Sequence, residues 1–174
     1  MALVVDLLMN RTYETNEIAM LDPSILREYD IRGIVGDTLT GKDVYLLGRG
    51  FGSIVFEEFG ANSKVVVSCD GRLSSPELIL RLIEGLTSTG VNVINIGLGP
   101  TPMLYFYSFE INASGAMMIT GSHNPPDYNG IKLVLANRPF YGKKIQELAQ
   151  RIHRDQFASG AGTTTKIDIR DQYV

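Results

Sequence analysis

From residue 40 onward the chain alternates between helical and strand periods of hydrophobicity. Val44, Leu47, Phe51, Ile54 and Val55 recur at helical spacing behind Thr40, a capping hydroxyl with Asp43 in the first turn. Gly48, Gly50 and Gly52 within that stretch predict an irregular helix. Val65-Val66-Val67 reads as a short buried strand. Ser75-Pro76-Glu77 then starts a helix, with a capping hydroxyl, a proline at the first position and an acid at the positive end of the dipole. Leu78, Ile79, Leu82, Ile83 and Leu86 form its stripe and Gly90 ends it. Val91 to Ile96 alternates as a strand, and Thr101-Pro102 opens a helix running to about Phe109. Ala116 to Ile119 and Ile131 to Leu135 are two apolar strand runs. Lys143 to Arg154 is a last amphipathic helix with Ile145, Leu148, Ala149 and Ile152 facing inward.

Strands at 65, 91 and 116, separated by helices, make successive right-handed βαβ units and so an α/β fold. In such a sheet the loops at the carboxyl ends of parallel strands gather on one edge, where ligands bind. Three loops are expected there: Ser68 to Ser74, Gly97 to Thr101, and the loop carrying Ser122. Residues 1–22 lack clear periodicity and read as an N-terminal extension with one short helix.

Composition narrows the class. The chain has 174 residues, enough for one domain with a sizeable core, with 44% hydrophobic and 20% charged residues. A net charge of −3 argues against a nucleic-acid partner. The single cysteine, Cys69, leaves no internal disulfide and reads as a small buried hydrophobe in a reducing, cytoplasmic setting. Ala2 to Met9 is apolar but broken by Asp6, too short to span a bilayer and a poor signal peptide, so no membrane partner is expected. Two N-x-Ser/Thr matches, at Asn10 and Asn112, read as chance.

The candidate chemistry concentrates in Thr120 to Lys132, TGSHNPPDYNGIK, a polar loop between two strands. Ser122 supplies a hydroxyl nucleophile, His123 a proton carrier, and Lys132 a cation facing opposite to Ile131 and Leu133. These residue types suggest acyl or phosphoryl transfer without choosing between them. No G-x-S-x-G elbow is present, and neighbours such as Ser122 and His123 ordinarily point apart, which weakens a serine-hydrolase reading. Two histidines, the second being an exposed His153, do not make a zinc site. Upstream, Arg27, Tyr29 and Arg32 precede Gly33, and Arg72 lies in the loop after the first predicted strand; guanidinium forks suit phosphate. Gly48-Arg49-Gly50-Phe51-Gly52 is not a dinucleotide loop, because it sits inside a helical pattern.

Together these segments resemble the N-terminal domain of the α-D-phosphohexomutase family, in its phosphomannomutase/phosphoglucomutase branch. TGSHNP at Thr120 to Pro125 is similar to that family's active-site serine loop, and NGIK at Asn129 to Lys132 to the element with its lysine. LREYDIRG at Leu26 to Gly33, DGRLSS at Asp70 to Ser75 and GPTPMLY at Gly99 to Tyr105 match further signatures, in order, over residues 24 to 155. Ser68-Cys69 stands where relatives commonly have Gly-Arg, and Leu26 replaces a frequent phenylalanine.

The resemblance implies a three-layer α/β/α domain with a mixed, mostly parallel sheet. It implies that Ser122 carries a phosphoryl group exchanged with a hexose phosphate through a sugar 1,6-bisphosphate, an isomerase chemistry between mannose or glucose 1- and 6-phosphates. Ser122 would bind Mg²⁺ through its phosphate. His123, Lys132, Arg32 and Tyr29 would surround the transferring group, with Lys132 assisting proton transfer at the sugar hydroxyl. It divides the chain into an extension (1–22), the phosphoserine domain (23–160) and a hinge toward a second domain (161–174). The family's other domains carry the remaining Mg²⁺ ligands and sugar contacts, so 174 residues alone are expected to be inactive and to dimerise through surface those domains would cover. A different reading of the same residues is a non-catalytic module that binds phosphate or a partner.

Overall fold

The computed structural model describes residues 20–174; the expectations for Ala2 to Met9, for Asn10 and for a helix in the extension lie outside the described residues. After a 3₁₀ turn at Pro23–Ile25 come β1 (Ile31–Ile34), α1 (Gly41–Phe59), β2 (Lys64–Cys69), α2 (Ser75–Thr87) and β3 (Asn92–Leu98). The chain continues through α3 (Thr101–Glu110), β4 (Gly115–Ile119), β5 (Tyr128–Leu135), β6 (Arg138–Pro139), α4 (Lys143–His153), β7 (Thr164–Lys166) and α5 (Arg170–Tyr173). The strands form one sheet in the order β1-β5-β4-β2-β3-β7, with β6 on β5.

The sheet is mixed, as the resemblance implied. β4, β2, β3 and β7 run parallel, whereas β5 is antiparallel to both β4 and β1. Helices cover both faces. Val65, Val67, Met117, Ile119, Ile131 and Leu133 point toward α1, α2 and α4, while Val66, Met118 and Val134 point toward α3 and Ile169, just before α5. The chain steps from β2 through α2 to β3, then returns through α3 to β4 on the other side of β2. The crevice between the carboxyl ends of β2 and β4 is therefore the topological switch point, the place where open α/β sheets bind ligands.

Several local expectations change. Helix α1 is regular over 19 residues, capped by a reciprocal Thr40–Asp43 box, and its glycines serve packing rather than irregularity. A Cβ at Gly48 would lie 2.6 Å from the Leu82 carbonyl of α2, one at Gly50 2.6 Å from Leu148 of α4, and one at Gly52 2.6 Å from Thr89. From the other side, a Cβ at Gly85 would meet the Tyr45 carbonyl at 2.2 Å. The two backbones can approach this closely only where side chains are absent. Gly85→Ala should consequently destabilise the domain by about 2 kcal/mol despite alanine's better helix propensity, lowering the thermal midpoint by several degrees in a melting experiment.

Ser75 does not cap α2 but is its first residue; the cap position is Ser74, whose side chain makes no capping bond, and the Ser75 hydroxyl is used elsewhere. Residues 164–166, within the segment expected as a hinge, add an edge strand parallel to β3, and Phe106 of α3 packs on Tyr173 of α5.

Candidate active site

Register, more than loop length, places the cations. β1 pairs with the beginning of β5, with Ile31 opposite Ile131 and Arg32 opposite Gly130, and Ile131 in turn lies opposite Ile119, the last residue of β4. From Arg32 on, β1 thus runs with β5 past the end of β4 as a two-stranded ribbon beside the switch point. Alternation turns Ile31 and Ile131 into the core and sends Arg32 and Lys132 to the other face. Continuing the register one step puts Asp30 opposite Lys132. The buried Asp30 carboxylate accepts from Arg32 Nη2 at 2.7 Å and from Lys132 Nζ at 3.1 Å. Tyr29, which sits on Tyr141 at 5.9 Å, completes a hollow with Arg27, Arg32, Asn124 and Lys132.

The serine loop is held by a different set. Its backbone turns back at Ser122, which has a left-handed φ of 52°. The Ser122 N–H donates to Thr120 Oγ1 at 2.9 Å and the Gly121 N–H to Asp70 Oδ2 at 3.0 Å. The other Asp70 oxygen accepts from the Ser75 hydroxyl at 2.6 Å, and Ser75 accepts in turn from the fully buried Asn129 at 3.0 Å. Carboxylate, hydroxyl and amide thus tie the ends of β2, β4 and β5 to the first turn of α2. Burial alone pushes the Asp70 carboxyl up. Hydrogen bonds from Ser75, from the Arg72 and Gly121 backbone and from Thr120 outweigh burial and hold it below its usual 3.8.

A carboxyl depressed in the fold contributes stability that is present above its unfolded value and disappears as pH falls through the folded one. The difference in thermal midpoint between the native chain and Asp70→Asn should therefore be constant from neutrality to about pH 4 and shrink in more acidic buffer.

Arg72 differs from its expected role. Its guanidinium is not offered to a ligand; it donates to the carbonyls of Ser122 at 3.1 Å, Asn124 at 2.7 Å and Tyr128 at 2.9 Å, and also to that of Pro125. Asp70 lies 3.4 Å from its Nε. Gly121 leaves the room for it, since a Cβ there would meet Arg72 Nε at 2.1 Å. Arg72 is a brace inside the loop.

With the loop so held, Ser122 and His123 are exposed and Ser122 Oγ lies 3.3 Å from His123 Nδ1. The expectation that these neighbours point apart is corrected, because the left-handed turn at Ser122 breaks the ordinary alternation. Ser122 lines a hollow of ≈600 Å³ with Asp70, Arg72 and Asn124, next to the hollow of ≈580 Å³ that contains Tyr29, Arg32 and Lys132. Asn124 lines both, its Oδ1 accepting from Arg32 Nη1 at 3.3 Å. The structure thus brings Tyr29, Arg32 and Lys132 together, sets Ser122 and His123 beside them across Asn124, and gives Ser122 Oγ no direct bond to either cation. His153 is exposed on α4, and burial pushes the Cys69 thiol up, consistent with an inert side chain. The loop at Gly97 to Thr101 contributes a backbone tie, Gly99 N–H to the Cys69 carbonyl at 3.0 Å, and none of the predicted site residues.

Asp30, Asp70, Asn129 and the bracing role of Arg72 were missed by the local sequence pattern. The signal available for Asp30 was its parity with Arg32 on one strand.

No helix among the described residues is long and apolar enough to cross a membrane. Residues 23–159 match the family model for phosphoglucomutase/phosphomannomutase, alpha/beta/alpha domain I. A phosphomannomutase/phosphoglucomutase of Pseudomonas aeruginosa is 44% identical over 160 residues, which span 91% of this chain and 34% of that protein. A phosphoglucomutase of Neisseria meningitidis is 42% identical over 159 residues, 90% of this chain and 34% of that one. The crystal structure of a phosphoglucomutase/phosphomannomutase family protein from Burkholderia thailandensis superposes with a TM-score of 0.82 at 41% identity, covering 88% of this chain and 35% of its own. The chain spans about a third of the length of the curated relatives it matches. Sheet order, serine loop and similarity agree, and the chain belongs to the phosphoglucomutase/phosphomannomutase family, as its α/β/α domain I.

Proposed function

We propose that Ser122 is the phosphoryl carrier of a hexose-phosphate mutase and that this chain is the domain which presents it. The observation that carries the reading is the left-handed, exposed Ser122 on a loop braced from within by Arg72 and Asp70, beside a hollow holding Arg32 and Lys132. A phosphorylated Ser122 gives its phosphoryl group to a hydroxyl of a hexose monophosphate, the hydroxyl losing its proton. The resulting bisphosphate reorients and returns its other phosphoryl group to Ser122. Such transfers need positioning and charge neutralisation more than covalent help. Arg32 and Lys132 supply positive charge and Tyr29 an aromatic wall; Lys132 also assists transfer of the sugar hydroxyl proton, and His123 stands 3.3 Å from Ser122 Oγ beside the transferring group.

Mg²⁺ calls for a near-octahedral set of oxygen ligands, and the described residues contain no cluster of three or more His, Cys, Asp or Glu that could hold a metal. These residues alone do not make its site. A phosphate oxygen on Ser122 would be one ligand, and the others would come from the part of the relatives' length that this chain does not span.

The test is intact-mass analysis, after incubation with a hexose 1,6-bisphosphate and Mg²⁺, of a longer polypeptide that contains this domain. One added phosphoryl group mapping to the peptide with Ser122 supports the reading. Phosphate on another residue, or none, refutes it. The chain by itself should show no steady turnover of mannose 1-phosphate in a coupled assay.

A further inference from the structure

We propose that Asp30 is a positioning residue of the cation hollow: one buried carboxylate that aims Arg32 and Lys132 and is displaced from them by an arriving phosphate oxygen. The inference rests on the reading above only for the identity of that anion.

Asp30 is the end point of two independent cations. Its Oδ2 accepts from Arg32 at 2.7 Å and from Lys132 at 3.1 Å, and its side chain is only 9% exposed against 24% and 29% for theirs. A carboxylate this buried is tolerated because both of its partners are charged donors. The geometry follows from strand parity. Asp30 and Arg32 share one face of the β1 segment, and Lys132 projects from the same face of β5. Like charges on adjacent strands repel unless something sits between them, and Asp30 is what sits there. Its main chain is fixed too, since the Asp30 carbonyl accepts from the Arg27 N–H at 3.0 Å.

Gly130 keeps the arrangement open. It lies opposite Arg32, and a Cβ there would strike the Ile31 carbonyl at 2.2 Å. On α3, burial first and the Asp30 charge second push the Tyr105 phenol up, so the carboxylate's field reaches the neighbouring wall.

One carboxylate against two cations leaves a local charge of +1. The trio therefore attracts an anion while each cation is already aimed. A phosphate oxygen can take over either donor, exchanging one charge-assisted bond for another rather than ordering a free side chain. Asp30 does not touch the reacting atoms; it acts through Arg32 and Lys132.

The experiment is side-chain NMR on the chain labelled at arginine and lysine, comparing the native protein, Asp30→Asn and Asp30→Glu during titration with inorganic phosphate. In the native chain the Arg32 Nη protons should give separate resonances, because the ion pair hinders rotation of the guanidinium. In Asp30→Asn, of the same shape but uncharged, rotation should accelerate about tenfold and the resonances merge. Saturating phosphate should separate them again. Resonances that stay separate in Asp30→Asn would overturn the proposal. Merging in that variant, with native Arg32 and Lys132 signals unmoved by phosphate, would uphold the positioning role and defeat the phosphate reading instead. Should Asp30→Asn lose its cooperative melt, Asp30→Glu decides. It retains the charge and is expected to keep Arg32 hindered; a folded Asp30→Glu with freely rotating Arg32 sinks the inference.

Discussion

Ser122→Ala should abolish phosphate uptake from a hexose bisphosphate. In a longer polypeptide containing this domain, it should lower mutase turnover on the order of 10⁴-fold or more, the usual consequence of deleting a covalent carrier. The fold should survive, because the side chain is exposed and its hydroxyl lies beside the equally exposed His123. Alanine is not the best control, however. Position 122 has a φ of 52°, where any residue with a Cβ is disfavoured by about 1 kcal/mol. Ser122→Gly removes the same hydroxyl and relieves that conformation, so it should melt at or above the native temperature while being equally unable to carry phosphate. Phosphate uptake by either variant, measured by intact mass, would remove Ser122 from its assigned role.

The second large effect concerns a residue that holds no substrate. Arg72→Met keeps the length of the side chain but deletes donors to four loop carbonyls, those of Ser122, Asn124, Pro125 and Tyr128, and leaves Asp70 without its cation. Bonds to charged groups contribute about 1.5–3 kcal/mol each when isolated, but water can replace a donor at an exposed carbonyl. The expected net loss is about 2–4 kcal/mol, with amide hydrogen exchange across residues 121–128 accelerating more than that of the α1–α2 core. Phosphate uptake at Ser122 should slow by at least an order of magnitude, since a loop free to wander presents its hydroxyl only part of the time. Arg72→Lys, a single ammonium in place of a planar fork, should fall between the two. Equal protection of the loop in Arg72→Met and in the native chain would show that Asp70 and Thr120 suffice.

The parts of the fold that the sequence made legible are those with long, well-marked periods. α1, α2 and α4 each bury an apolar stripe, β2 and β4 are apolar runs between turn residues, and β3 alternates. β7, Thr-Thr-Lys with every residue exposed, has no pattern to read, because an edge strand is chosen by the backbone groups of its neighbour. The glycines of α1 were misread for a related reason. Propensity describes a helix alone, and their cause is what packs on it: the α2 carbonyls of Leu82 and Leu86 against Gly48 and Gly52, and the α4 side chains of Leu148 and Ile152 against Gly50. The candidate site divides in the same way. Ser122, His123 and Lys132 were visible as chemistry on one loop. The groups that hold them were not, since Asp30 and Lys132 are 102 positions apart and Arg72 reaches carbonyls more than 50 positions away. Local pattern carries no information about such pairings until register is known.

Strand β5 has two unlike faces. Its residues alternate between the oily interior and the charged hollow, with Ile131 and Leu133 on one side and Lys132 on the other. A slip by a single residue would drive an ammonium into hydrocarbon and two branched side chains into solvent. The distance from that ammonium to the carrier loop is thus gauged by grease: the hydrophobic neighbours act as a ratchet whose teeth allow this chemistry one setting.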